Sequence, residues 1–241
     1  MITIYDDGVH NNTALLLALN QVGYKEVTLC TASIILEGGL DNKKLLIMPG
    51  GADLYFCEKL NGQGNQKIQN FVSQGGSYLG ICAGAYYGCS QLDWACGEIS
   101  DERELALFHG KAIGPIYNFL EDKNEIYKGS WIYATEIETD AGDKFLTQYN
   151  GGPLFEEENC DVIARYSDLK NNPSAIIGGN FYEGKYILSS PHIENFGHLL
   201  NDRLYIHLNC SYEREKHQLD KLLKFEKQQK EFFKNIIERL L

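Results

Sequence analysis

One cysteine stands in a sequence pattern that favours a nucleophile. The segment GICAG, residues 80–84, directly follows an apolar run and is itself rich in small residues. This G-x-C-x-G pattern is a nucleophile elbow with cysteine in place of serine, where a tight strand-to-helix turn leaves little room for neighbouring side chains. The N-terminus of the following helix would also favour a thiolate. Although most buried cysteines only fill space, we expect Cys82 to do chemistry.

A thiolate nucleophile needs a base, and the base needs a group that orients it. The segment SPHIE, residues 190–194, follows a strand-like run and supplies His192 and Glu194. In a parallel sheet both Cys82 and His192 would lie beyond the carboxyl edge, which favours His192 as the base and Glu194 as its orienter. The other five histidines are expected to have surface or structural roles, with His10 placed near the same edge of the sheet. They are His10, His109, His198, His207 and His217.

A pair of glycines could complete such a site. Gly50 and Gly51 follow the apolar run LLIM, residues 45–48. The backbone N–H groups of Gly51 and Ala83 would form a two-donor oxyanion hole, in which each donor contributes on the order of 3 kcal/mol to the transition state. The same glycines also suit a tight turn without any catalytic role.

The first hundred residues alternate between strand-like and helix-like segments. This alternation predicts an α/β fold with an open, mostly parallel, flavodoxin-like sheet flanked by helices and joined by right-handed crossovers. The predicted strands are Ile2–Tyr5, Val27–Cys30, Leu45–Met48 and Tyr78–Ile81. The predicted helices run from Asn12 or Thr13 to Gly23 and from about Asn65 to Gln74.

The pattern changes to strand-like pieces between residues 103 and 192, which predicts a β-rich insertion before the chain returns to the main sheet. The pieces are Glu104–Phe108, Trp131–Ala134, Asp161–Arg165, Ser174–Ile177 and Lys185–Ser189. We divide the chain into a main domain over residues 1–210 and an amphipathic C-terminal helix over 211–241. That helix either packs on the domain or forms a dimer interface.

The charge balance limits the partners. The chain has 22 basic and 33 acidic residues, a net charge of −11. This charge opposes binding to nucleic acid or to an anionic membrane surface. The N-terminus has no secretory signal pattern, and apolar runs such as ALLLAL, residues 14–19, are too short to span a bilayer. We therefore expect a cytoplasmic protein.

The seven cysteines form no C-x-x-C motif. In a reducing compartment most should be free thiols. The six-residue gaps that separate Cys82, Cys89 and Cys96 do not suit a tetrahedral zinc ion. We expect neither a metal nor a cofactor.

Several of these segments together resemble class I glutamine amidotransferases: MPGG (48–51), GICAG and HIE (192–194). Longer runs resemble one branch more closely, the domain at the N-terminus of eukaryotic biotin–protein ligases, which also occurs as stand-alone bacterial proteins. These runs are residues 48–88, REL-LF-G (103–110), YNGGPLF (149–155) and SPHIE. They span most of residues 1–200, and the tail after about residue 211 lies outside the resemblance.

The resemblance implies a class I glutamine amidotransferase-like fold and a Cys82–His192–Glu194 triad. It does not imply biotin ligation, since the chain has no glycine- and arginine-rich biotinyl-adenylate loop and no room for a ligase domain. Amidotransferases that use glutamine commonly carry a histidine and a glutamine where this chain has Ala85 and Tyr86. Glutamine is therefore doubtful as the substrate, because a site without those partners discriminates poorly for it.

Other residues are candidates to line a different substrate pocket, although each also suits a turn. These are Gly50, Asp53, Tyr55, Tyr86, Asn150 and Gly151.

Three hypotheses follow. The first is a cysteine-dependent amidohydrolase or acyl transferase that acts on a carboxamide, alone, as a homodimer or with a synthetase partner that takes up ammonia. The second is a binding or regulatory module with the same fold and little turnover. In the third, as in the protease- and chaperone-like branch, Asp6 or Asp7 lies beside the thiol and matters more than Glu194.

Overall fold

The computed structural model describes residues 1–120, 122, 124, 126, 132–156, 158–200 and 212–241. The strands are β1 (Ile2–Tyr5), β2 (Val27–Cys30), β3 (Leu45–Met48), β4 (Ser77–Ile81), β5 (Cys89–Trp94), β6 (Ile99–Glu102), β7 (Phe108–Gly114), β8 (Tyr133–Thr139), β9 (Lys144–Tyr149), β10 (Leu154–Phe155), β11 (Asp161–Tyr166), β12 (Ser174–Phe181) and β13 (Gly184–Ser189). The helices are α1 (Thr13–Gln21), α2 (Ala32–Leu36), α3 (Asp53–Leu60), α4 (Gln63–Ser73), α5 (Ala83–Gly88), α6 (Tyr212–Leu223) and α7 (Glu226–Leu240).

The main sheet begins with a parallel block in the order β2-β1-β3-β4-β13. Every residue of β1, β3 and β4 is buried, as expected for short apolar strands that are covered by helices on both faces. The four strands predicted in the first hundred residues are confirmed, and so is the open α/β sheet.

The β-rich insertion is also confirmed, and it serves two purposes. Strands β12, β11, β8 and β9 extend the main sheet with antiparallel pairing, while β10, β7, β5 and β6 form a second, smaller sheet. The chain then returns through β13, which pairs in parallel with β4 so that Ser189 lies opposite Ile81. This register places the residues that follow β13 beside those that follow β4.

Two apolar layers cover the main sheet. Helices α1 and α7 pack on one face, where the buried residues of α7 join those of α1 and of the antiparallel strands. Helices α3, α4 and α5 contribute to the core on the other face. The C-terminal tail therefore packs with its apolar side on the sheet of its own chain.

The tail is two helices rather than the single helix predicted from its periodicity. Tight i to i−3 hydrogen bonds end α6 at Lys224 and Phe225. The Leu222 carbonyl accepts the last of these bonds, from the Phe225 N–H, and it also accepts from the Gln229 side chain of α7 at 3.1 Å, so Gln229 links the two helices at the break.

The predicted strand Glu104–Phe108 is wrong, since these residues form turns and the strand begins at Phe108. Leu105 and Leu107 are buried, so their apolar character reflects the core rather than a pleat. Ala106 has a positive φ of 41°, and Gln69 donates to the carbonyls of Glu104 and Leu105, which keeps that backbone out of a ladder.

The strand predicted to start at Trp131 begins instead at Tyr133, and Trp131 itself lies outside the described residues. Within the described ranges no helix is both long and apolar enough to cross a membrane.

Candidate active site

Cys82 lies in a strained turn between β4 and α5. Its backbone adopts φ 50° and ψ −103°, a conformation that residues other than glycine rarely occupy. Its N–H donates to the Ser189 carbonyl at 2.8 Å, so the end of β13 holds the turn in place. Strain of this kind persists only where the surroundings enforce it, and it concentrates at functional sites.

The small residues around Cys82 have a steric reason. A Cβ on Gly80 would lie 2.3 Å from the Gly84 carbonyl oxygen, and a Cβ on Gly84 would lie 2.2 Å from the Met48 carbonyl oxygen. Both distances are far below van der Waals contact. The two glycines of the G-x-C-x-G pattern therefore allow β3, β4 and α5 to pack this closely beside Cys82.

His192 and Glu194 follow β13 and lie beside Cys82. The Nδ1 atom of His192 is 2.7 Å from Oε1 of Glu194, and the His192 N–H donates to the Gln148 carbonyl. A side-chain hydrogen bond also joins His192 to Cys82. Glu194 is only 6% exposed, so its carboxylate faces His192 in a poorly solvated setting.

The electrostatics of His192 suit a group that holds a proton near sulfur. Burial alone lowers the pKa of His192, but the negative charges of Glu194 and Cys82 and the hydrogen bonds to both side chains raise it well above its ordinary value. An imidazolium beside the sulfur would stabilise a thiolate.

Gly50 and Gly51 lie between two imidazole rings. A Cβ on Gly50 would lie 2.4 Å from Cε1 of His192, while a Cβ on Gly51 would lie 2.5 Å from Cδ2 of His10. Within the described part of the chain, neither the Gly51 N–H nor the Ala83 N–H donates to a protein acceptor. Both residues line the same cavity as Cys82.

That cavity has a volume of about 400 Å³. Asp53, Tyr86, Asn150 and Gly151 line it together with Cys82 and His192. Gly50 and Tyr55 are not among the lining residues. Apolar side chains supply much of the remaining wall: Leu54, Leu92, Trp94, Ile99 and Pro115.

Two of the polar lining groups are already engaged. The Tyr86 hydroxyl donates to the Gly151 carbonyl at 3.0 Å, and the Cys82 thiol donates to the Asn150 carbonyl at 3.3 Å. Ala85 is fully buried and is not one of the lining residues. Ala85 and Tyr86, which stand where glutamine-using enzymes commonly carry polar partners, therefore offer few hydrogen bonds to a polar substrate.

Arg103 was not predicted as part of this region. Its Nε donates to Asp53 at 2.7 Å, and its side chain is 1% exposed. Burial lowers the pKa of Arg103, but the hydrogen bond and charge of Asp53 raise it above its ordinary value. No local sequence pattern indicates this pair, because the two residues lie fifty positions apart.

His10 and Asp7 were also not predicted to lie together at the site. The His10 Nδ1 atom is 2.6 Å from Oδ2 of Asp7, and the Ala52 N–H donates to Nε2 of His10 at 3.2 Å. Neither Asp6 nor Asp7 is among the residues that line the cavity. A signal was present in the D-D-G turn after the first strand, where side chains gather at the edge of a parallel sheet.

In the described ranges no group of three or more His, Cys, Asp or Glu side chains is arranged to hold a metal ion.

Comparison with known proteins supports this fold and assigns a family. The family model described as biotin-protein ligase, N terminal, matches residues 6–241. The chain belongs to this family. The match includes the C-terminal helices, so the expectation that the resemblance stops near residue 211 is wrong.

Two curated relatives are similar in sequence. An uncharacterized protein of Chlamydia muridarum is 35% identical over 211 residues, which cover 83% of this chain and 76% of that protein. A biotin–protein ligase of Schizosaccharomyces pombe is 31% identical over 159 residues, which cover 62% of this chain and 25% of the ligase. The chain thus matches only a quarter of that ligase.

Solved structures share the fold at low sequence identity. A glutamine amidotransferase has a TM-score of 0.60 at 18% identity, over 86% of this chain and 96% of the other. PurLQS from Thermotoga maritima gives a TM-score of 0.59 at 15% identity, over 85% and 91%. The family member described here has a glutamine amidotransferase-like fold.

Proposed function

We propose that this protein is a cysteine-dependent amidohydrolase or acyl transferase, with Cys82 as nucleophile, His192 as acid and base, and Glu194 as the residue that orients His192. One observation carries the proposal. Cys82 stands in a strained elbow and lines a cavity together with His192, whose Nδ1 lies 2.7 Å from Glu194. An inert core thiol needs neither the strain nor the paired imidazole.

The reaction would proceed in two steps. The Cys82 sulfur attacks the carbonyl carbon of a carboxamide, and as the C–N bond breaks His192 gives its proton to the departing ammonia. The resulting thioester is attacked by water, whose proton passes to His192 as the C–S bond breaks. The products are a carboxylic acid and ammonia, and the thiolate–imidazolium pair is regenerated. An amine or another acyl acceptor in place of water would make the reaction an acyl transfer.

The Gly51 and Ala83 N–H groups would hold the negative charge that develops on the substrate oxygen in both steps. Two features support them: neither donates to an acceptor among the described residues, and both line the cavity beside Cys82. Donors that are already fixed before the reaction stabilise a transition state without reorganisation.

The cavity favours an acyl group with an apolar remainder. Among its described lining residues, the charged side chains are Asp53 and His192, and Asp53 is already paired with Arg103. The zwitterionic head of glutamine would need a cation for its carboxylate, and burying it without one is costly. The walls formed by Leu92, Trp94 and Ile99 suit an aromatic or aliphatic group instead.

A panel of primary amides tests both the chemistry and the substrate class. Ammonia release from phenylacetamide, hexanamide, asparagine and glutamine is measured with wild type, Cys82→Ala and Cys96→Ser, since Cys96 is exposed and outside the cavity lining. We expect kcat/KM for phenylacetamide to exceed that for glutamine by about tenfold or more, the size of discrimination that apolar pockets achieve. Cys96→Ser should retain this turnover and Cys82→Ala should lose it.

Intact mass spectrometry in the same reactions should detect an acyl adduct on Cys82. Ammonia release that survives in Cys82→Ala would contradict the proposed nucleophile. Faster turnover of glutamine than of phenylacetamide would contradict the substrate class and leave the nucleophile standing.

A binding or regulatory module is the second candidate, and one observation favours it. The Cys82 thiol donates to the Asn150 carbonyl at 3.3 Å, so this hydrogen bond must break before the sulfur can attack a substrate. If this is the working state, amides from the panel bind with measurable heat in calorimetry but release no ammonia and leave no adduct. The same panel therefore separates the two functions.

A further inference from the structure

We propose that the Asp7–His10 pair is a positioning device that fixes the Gly50–Ala52 loop, and with it the Gly51 N–H, in the orientation that an oxyanion hole requires. This inference rests on the proposed function and adds two positioning residues to it. Neither residue touches the reacting atoms. They act through the backbone of the loop.

The contact with the loop defines the role of His10. The Ala52 N–H donates to Nε2 of His10 at 3.2 Å, so one face of the loop is tied to the imidazole. The ring also lies directly against Gly51, where a Cβ would come within 2.6 Å of the ring atoms Cδ2, Cγ and Nε2. The Gly51 peptide adopts a φ of 140°, in the region that favours glycine, so an external contact is needed to hold it in one conformation.

The partners of the ring determine where its proton lies. A backbone N–H can only donate, so Nε2 of His10 must accept and the neutral ring carries its proton on Nδ1. That proton then points to Oδ2 of Asp7, 2.6 Å away. Asp7 therefore selects the tautomer that can accept from Ala52, as the acidic member of a catalytic triad selects the tautomer of its histidine.

Asp7 is itself held firmly. Its side chain is 2% exposed, and its Oδ1 accepts from the N–H groups of Val9 and His10. Burial raises the pKa of Asp7, but these backbone hydrogen bonds and the His10 ring lower it below its ordinary value. The carboxylate is thus charged near neutral pH and satisfied on both oxygens.

Aromatic side chains close the other sides of the ring. The Tyr55 ring meets His10 edge to face at a centroid distance of 5.6 Å, and Phe56 does so at 6.4 Å. Both belong to α3, which begins directly after the loop. Tyr55, predicted from the sequence to line the substrate pocket, thus packs on the positioning histidine.

Two thiol reagents separate this role from a general structural one. p-Nitrophenyl acetate acylates Cys82 through a tetrahedral oxyanion and releases p-nitrophenolate, whereas iodoacetamide alkylates the same sulfur by direct displacement without any oxyanion. In variants that keep Cys82 and His192, the ratio of the two rate constants at Cys82 therefore reports the oxyanion hole. It is measured by mass spectrometry of the Cys82 peptide in wild type, His10→Ala, His10→Gln, Asp7→Asn and His198→Ala.

We expect His10→Ala to lower the acylation rate by about tenfold and to leave the alkylation rate within twofold of wild type. This loss of rate is smaller than the 10²–10³-fold loss caused by deleting an oxyanion-hole donor, because the Gly51 N–H is still present and is only less firmly positioned. His10→Gln should recover at least half of the ratio, since its amide oxygen can accept from Ala52. His198 pairs with Glu226 at a distance of 2.7 Å and is not among the residues that line the cavity. His198→Ala should therefore leave the ratio unchanged.

Asp7→Asn retains the imidazole and should still lower the ratio. An amide NH₂ opposite Nδ1 favours the other tautomer, whose Nε2–H then faces the Ala52 N–H. An unchanged ratio in both His10→Ala and Asp7→Asn would overturn the inference, and so would an equal fall in both rates, which indicates loss of structure. A wild-type Cys82 that is inert to both reagents would overturn the proposed function and this inference with it.

Discussion

Two histidine–carboxylate pairs flank the same two glycines, and they differ in what the far nitrogen of each ring contacts. His192 is held by Glu194 and faces the Cys82 sulfur, while His10 is held by Asp7 and faces a backbone N–H. The His192 side chain is 12% exposed and that of His10 is 24% exposed. In both pairs a carboxylate contacts Nδ1 of the histidine. The roles differ because His192 contacts the Cys82 sulfur and His10 contacts a backbone N–H.

The two carboxylates, Asp7 and Glu194, also differ in how completely they are hydrogen-bonded. Asp7 accepts hydrogen bonds on both oxygens, whereas Oε2 of Glu194 has no partner among the described residues. Burial lowers the pKa of His192, but the charges of Glu194 and Cys82 and the hydrogen bonds to both side chains raise it well above its ordinary value. One pair is thus suited to hold and release a proton, and the other to hold a loop.

The largest effect should come from His192→Ala. This change removes the general acid and base, so acylation of Cys82 by p-nitrophenyl acetate should fall by roughly 10²–10⁴-fold. Alkylation by iodoacetamide should also fall near neutral pH, because the imidazolium no longer stabilises the thiolate. A variant that loses acylation alone would mean that His192 acts on the loop as His10 does, and the contrast between the two pairs would be lost.

Replacing Gly50 and Gly51 by alanine in separate variants tests the difference between the two histidine–carboxylate pairs, and the expected effects are smaller than that of His192→Ala. Gly50→Ala places a Cβ 2.4 Å from His192, so the ring must move and both acylation and alkylation should fall, each by about tenfold or more. Gly51→Ala places a Cβ against His10, so acylation should fall while alkylation stays near wild type. Stopped-flow release of p-nitrophenolate and peptide mass spectrometry measure the two rates. Identical effects of the two variants on both rates would contradict separate roles.

The sequence predicted the parts of the fold and site whose signal is local. The parallel strands are short apolar runs that end at glycine-rich turns, and the elbow around Cys82 needs small residues within five positions. His192 and Glu194 lie two residues apart directly after a strand, so their distance from each other was set by the backbone. Such features depend on neighbours in the chain.

Several features that depend on distant contacts were not predicted. Arg103 pairs with Asp53, and His10 meets Ala52 across 42 positions, distances over which periodicity carries no information. Leu105 and Leu107 have the alternation of a strand, yet they fill the core from turns that Gln69 stabilises. The break near Phe225 likewise involves a contact between two helices, since the Gln229 side chain of the second donates to the Leu222 carbonyl of the first.

The most direct measurement compares two thiols within one molecule. Iodoacetamide is added to the wild-type protein at pH values from 6 to 9, and peptide mass spectrometry gives the alkylation rates of Cys82, which is 6% exposed, and of Cys96, which is exposed. Because the pKa of His192 is raised, its imidazolium persists above pH 6.5, and its support of the thiolate is lost only as the pH rises through that raised value. We predict that Cys82 reacts at least tenfold faster than Cys96 at pH 6, and that this advantage shrinks towards pH 9 as ordinary thiols ionise. Faster reaction of Cys96 at every pH would contradict a catalytic Cys82.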